Sequence, residues 1–121
     1  MPTPSTVRAG SPPFQPGCVV IATLGNPRDK FWGAMLSLTP EGFSLCGIEL
    51  ASMDDTIAVL KEGSAFSPSV IFFPMHRVER IELDLPDGDV PSLAQRFSER
   101  TGLDAAQALN QFYVSQCGGS Q

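Results

Sequence analysis

The sequence predicts a mainly β fold with added helices: five short strands closing into a small barrel, one helix inserted between strands three and four, and two helices after the barrel. Three observations carry this. Short runs rich in β-branched and aromatic residues recur between Gly/Pro turn signals. Gly33 falls inside the second run, as expected where a strand bends around a closed core. The apolar period turns helical at residues 52–62 and again beyond residue 92.

"CVVIATL", residues 18–24, is strand one, and it ends at Gly25-Asn26-Pro27, a strong turn signal. "FWGAMLSL", residues 31–38, follows as a curved second strand. "TPEG" has Pro at the second turn position and Gly at the fourth, so it returns the chain directly into "FSLCGIEL", residues 43–50. In the inserted helix Met53, Ile57 and Leu60 lie at helical spacing, Asp54 and Asp55 suit the positive end of the dipole, and Ser52 with Asp55 approximates a capping box. "SVIFF", residues 69–73, is strand four, stopped by Pro74. "VERIELDL", residues 78–85, puts Ile81, Leu83 and Leu85 on one face and Glu82 and Asp84 on the other. Val78 breaks that alternation, which implies a tight twist between strands four and five. Ser92 with Gln95 opens a helix carrying Leu93, Ala94 and Phe97 and ending near Gly102, and Asp104 opens the last one, with Ala105, Leu109 and Phe112 on its apolar face.

At 121 residues the chain is long enough for a single domain with tails. Apolar residues at 42% and charged residues at 17% are a globular balance, and no apolar run approaches the roughly 20 residues that cross a bilayer, so a soluble protein without membrane contact is expected. Residues 1–17 carry prolines and small polar residues in place of the apolar core of a secretory signal, and they read as a flexible arm. Residues 18–85 form the barrel, 86–116 a helical extension and 117–121 a frayed tail. Cys18, Cys46 and Cys117 are an odd count with no C-x-x-C pair, which points to reduced thiols in the cytoplasm.

Several chemistries lack their residues. One histidine, His76, and three scattered cysteines do not make a metal site. Cys46 paired with His76 as a nucleophile is disfavoured, because cysteines within β-rich apolar runs are usually inert core residues. Gly25 stands alone, so no glycine-rich phosphate loop is present. The last helix, "AAQALNQFYVSQ", contains no lysine or arginine to read DNA, and Leu93, Phe97, Leu109 and Phe112 are better placed on the barrel or on a partner subunit. Phe31 and Trp32, which could stack a base, read as core, and "NPRDK" reads as a solvated turn with an Arg28–Asp29 pair. No catalytic residue and no cofactor is expected.

The stretches "VVIATLGNPRDKFWGAMLSLTPEGFSLCGIEL" and "VIFFPMHRVERIEL" resemble the two motifs of the Sm-like (LSm/Hfq-type) family, carried mainly by Gly33 within "FWGAML", by the spacing of the motifs and by Val78 and Ile81. The resemblance implies a five-stranded Sm-like (SH3-type) small barrel, with the inserted helix in a loop that varies between members. Members bind RNA and form rings by pairing strand four of one subunit with strand five of the next. On that basis the interface residues are Val70, Ile71, Phe72, Phe73, Arg80, Ile81 and Leu83. His76, with Arg77 beside it and Arg80 further out, would line the pore, while Arg28 and Lys30 would lie on a face, giving a possible RNA or anion site. Where members hold uridine with an aspartate and an asparagine after strand two, this chain has Thr39 and Phe43 around "TPEG", so that mode of recognition is not expected. Of the motif's basic turn, only the histidine is retained.

Independently of the family, the border of strand four favours a homo-oligomer. "SVIFF" is an apolar strand with no charge to protect its edge, and leaving it bare invites uncontrolled pairing unless a neighbour or a C-terminal helix covers it. The competing reading of the basic turn is structural: His76 bonds a backbone carbonyl, and Arg77 and Arg80 pair with Glu79, Glu82 or an acidic neighbour. A net charge of −5 opposes broad attraction to phosphate backbones.

Overall fold

The computed structural model describes residues 13–114, so most of the expected arm, Cys117 and the tail lie outside the described residues. In order the elements are β1 (Val19–Leu24), β2 (Asp29–Leu38), β3 (Gly42–Glu49), α1 (Met53–Lys61), β4 (Ser69–Pro74), β5 (Val78–Leu83), α2 (Leu93–Thr101) and α3 (Ala105–Tyr113). Short 3-10 turns at Leu50–Ser52 and Met75–Arg77 precede α1 and β5. All five strands and three helices fall where the sequence pattern puts them, with strand ends moved by one or two residues. No helix among the described residues is long and apolar enough to cross a membrane.

The strands form one antiparallel sheet in the order β4-β3-β2-β1-β5. The expected closed barrel is therefore not formed, because β4 and β5 do not pair and the sheet is open. The reason lies in their connection. Pro74 has no N–H to give, and the one-turn 3-10 segment after it does not lay β5 back alongside β4 as a two-residue hairpin would.

The sheet is nevertheless strongly curved. Val20, Ala22 and Leu24 from β1, Met35 from β2, Phe43 and Leu45 from β3 and Phe73 from β4 share one buried cluster, against which Ile81 and Leu83 of β5 also pack. The Phe31 and Phe73 rings meet at 5.0 Å although β3 lies between their strands. Gly33 and Gly47 face each other across β2 and β3 at the bend. A Cβ on Gly33 would stand 2.3 Å from the Cys46 carbonyl oxygen, and one on Gly47 would stand 2.1 Å from that of Trp32. Only two opposed glycines let these backbones approach so closely. A register shift between Thr23 and Leu24 in the β1–β5 ladder sets Val78, the residue that breaks the alternation of β5, opposite Leu24.

The convex face is covered by the helices. Trp32 and Ala34 of β2, Met53 and Ile57 of α1, Phe97 of α2, and Ala105 and Leu109 of α3 form a second buried cluster, so the aromatic and C-terminal apolar residues are core of this same chain. The cap of α2 forms as expected, with Ser92 and Gln95 bonding each other's backbone N–H at 3.0 and 2.7 Å. The cap of α1 does not. The preceding 3-10 turn leaves Ser52 at φ −95°, ψ 4°, away from the extended conformation a capping residue needs, and its hydroxyl makes no cap bond. Within the expected arm, Phe14 packs against the inner cluster, and Gly17 bonds Met35 and Asn110, which ties this end of the arm to β2 and α3.

Candidate functional site

The five basic candidates gather at one end of the sheet, around the β1–β2 and β4–β5 turns. Arg77 joins the two turns. Its Nε donates to the Gly25 carbonyl at 2.7 Å and its Nη2 to that of Pro27 at 3.3 Å, while the Gly25 N–H donates to the Arg77 carbonyl at 2.9 Å. This guanidinium is spent on backbone carbonyls, where the sequence argument had paired it with an acid or a ligand. The His76 side chain, next to it, is exposed and makes no hydrogen bond among the described residues, so the bond to a backbone carbonyl that the structural reading expected is not formed. Arg28 and Lys30 are exposed as well.

Lys30 and Arg80 are both register partners of Thr23, one on β2 and one on β5, so the three side chains form a row on the convex face. Arg80 also pairs with Glu82 at 3.0 Å, as the structural reading of this turn expected. The expected Arg28–Asp29 pair is not formed. Asp29 opens β2, where consecutive side chains diverge, and the ion pairs among the described residues are Arg80–Glu82 and Arg100–Asp54. Thr23 is only 2% exposed, and its Oγ1 has no hydrogen-bond partner among the described residues. An unbonded buried hydroxyl between two cations is a site feature that no sequence motif announced; only the register reveals it.

Asp84 was also missed. Its carboxylate accepts from Trp32 Nε1 at 3.0 Å and from the backbone N–H groups of Leu93 and Ala94 at 2.8 and 2.7 Å, holding the first turn of α2 against β2. This capture turns the chain out of β5, which ends at Leu83, and leaves Leu85 exposed instead of continuing the inner face.

The interface candidates lie on the two borders of the sheet. The Met75 N–H donates to the Glu41 carbonyl, and counting back by twos along the β3–β4 register directs the backbone groups of Ser69, Ile71 and Phe73 toward β3. Those of Val70 and Phe72 therefore point away from the sheet. The same count from Asp84 N–H to the Val19 carbonyl leaves the backbone groups of Ile81 and Leu83 pointing away from β1. Among the described residues no strand pairs with either border. The side chains differ as well: Ile71 and Phe73 turn into the inner cluster, while Val70 and Phe72 remain 47% and 54% exposed, with the Phe72 ring lying over Gly42.

Cys46 is buried on the convex side with its thiol directed at the Leu109 carbonyl, whereas His76 is in an exposed turn. No group of three metal-ligating side chains occurs among the described residues. A scan against protein-family models and searches of curated proteins and of solved structures each return no match.

Proposed function

We propose that the chain is a non-enzymatic, Sm-like interaction or scaffold module of the cytoplasm that assembles head-to-tail, the β4 border of one copy pairing with the β5 border of the next. The observation that carries this reading is the pair of open borders on one curved sheet. Each presents the backbone groups of two residues, Val70 and Phe72 on β4, Ile81 and Leu83 on β5, at the spacing an antiparallel ladder needs. The apolar Val70 and Phe72 side chains beside the β4 border would be covered in the same contact. Because the two borders are different surfaces, the contact is heterologous, and it gives a ring where the rotation closes and a filament where it does not.

Light scattering on wild type and Val70→Pro tests this. The Val70 N–H points outward, so proline there removes an intermolecular donor without removing a bond to β3. Wild type is expected to show a defined multiple of the 12.9 kDa chain mass, and the folded variant a single chain. A monomeric wild type at high micromolar concentration overturns the reading.

A second reading, an RNA-binding ring, draws support from Lys30, Thr23 and Arg80 in one row with His76 and Arg28 exposed nearby. Repetition around a ring would convert a weak anion contact into a usable one through avidity. Arg77 is not the residue to test, since it holds the turns. Lys30→Ala with Arg80→Ala should abolish binding to U-rich or A-rich RNA and flatten its fall with salt, and no binding by wild type at low salt removes this reading.

A further inference from the structure

Strand β4 is apolar on both faces. Ile71 and Phe73 stand opposite Leu45 and Phe43 and join the inner cluster, so Val70 and Phe72, opposite Cys46 and Ser44, project from the convex side. There they lie bare, where the outer face of an antiparallel sheet ordinarily carries polar residues. At the other border the concave core is unfinished: Ile81 and Leu83 of β5 pack against it without being fully buried, and no strand adjoins them on their outer side among the described residues. We infer that Val70 and Phe72 of one copy complete the concave core of the next, in a single register. This rests on the head-to-tail contact proposed above and adds which side chains meet and on which face.

Backbone geometry selects the face. In an antiparallel ladder, two residues that exchange both hydrogen bonds lie directly opposite each other and project their side chains to the same side. The residues with outward backbone groups are Val70 and Phe72 on β4 and Ile81 and Leu83 on β5. Ile81 and Leu83 point to the concave side of their own sheet, so the neighbour's Val70 and Phe72 land on that side with them. The convex side of one copy thus runs on into the concave side of the next, and the Arg80–Glu82 pair stays on the opposite face. Hydrogen bonding selects the register. Val70 opposite Leu83 with Phe72 opposite Ile81 uses all four residues, whereas a slip by two leaves one residue on each border unbonded and one apolar side chain uncovered. A slip by one sets outward groups against inward ones and bonds nothing.

Disulfide cross-linking of the full chain reads the register, in a background carrying Cys18→Ala and Cys117→Ser with the buried Cys46 kept. Residues that exchange both bonds have Cα atoms about 5.5 Å apart, within disulfide range, while diagonal neighbours are about 7–8 Å apart. Val70→Cys with Leu83→Cys, and Phe72→Cys with Ile81→Cys, should therefore give cross-linked multimers on a non-reducing gel. Val70→Cys with Ile81→Cys, and Phe72→Cys with Leu83→Cys, should do so at least about tenfold more slowly. Phe72→Ala tests the core: Phe72 is exposed within one chain, so the variant keeps its fold, and the concentration for half-assembly by light scattering should rise at least about tenfold. Phe72→Leu should recover part of that loss. Equal or faster cross-linking of the diagonal pairs, or unchanged assembly of Phe72→Ala, overturns the inference and leaves the head-to-tail contact standing. A wild type that stays monomeric overturns both.

Discussion

Asp84 shows what one side chain can do across distant parts of the chain. It accepts three hydrogen bonds, one from an indole on β2 and two from the first turn of α2, so its removal orphans three donors at once. Asp84→Ala should cost about 2–4 kcal/mol in urea unfolding, with a double-mutant cycle against Trp32→Phe apportioning the indole bond. Thr23 is the opposite case. Its buried hydroxyl bonds nothing described, so Thr23→Val should leave thermal stability unchanged or raise it by about 1 kcal/mol, and a loss of that size would mean the hydroxyl has a partner. Neither role was legible in the sequence, although the residue types were read correctly. The pattern puts Asp84 with Glu82 on the strand face opposite Ile81, Leu83 and Leu85 and goes no further, since alternation carries no information about a helix that starts nine residues later. Arg77 and Arg80 were picked out as basic and adjacent, but only the folded turns separate the arginine that bonds carbonyls from the one that pairs with Glu82.

At the level of elements the sequence was most informative where local chemistry decides. The "TPEG" turn closes with paired bonds between Thr39 and Gly42, and Ser92 caps α2, because both depend on residues within four positions of each other. Ser52 failed for an equally local reason, a 3-10 turn running into α1 from before it. Gly33 was recognised as a bend, whereas Gly47 was not, since its need is set by the strand opposite. Gly47→Ala would push a methyl group into the Trp32 carbonyl and should cost at least about 3 kcal/mol, or prevent folding, as judged by circular dichroism and denaturant midpoint. Arg77→Ala should cost about 2 kcal/mol by uncoupling the two turns, with loss of hydrogen-exchange protection at the Gly25 amide as the local signature.

Over the whole molecule, the run of β1, β2 and β3 followed from short connections, but the flanking of it by β4 and β5 and the closure of the cylinder did not. Whether β4 and β5 pair depends on the direction in which three residues, Met75–Arg77, send the chain, and no apolar pattern encodes that. The outcome is a sheet with a concave core of strand residues and a convex core shared with three helices. Its two outer strands offer unlike surfaces: β4 is apolar and partly bare, while β5 carries Arg80 and Glu82 beside its inward-facing Ile81 and Leu83. Such a chain has polarity. In a head-to-tail assembly, a copy disabled on β4 still offers a sound β5, so it can join a growing array at one end and block the next addition. A minor fraction of Val70→Pro protein mixed with wild type should therefore shorten filaments or break rings far beyond its share of the mixture, acting as a terminator rather than a diluent.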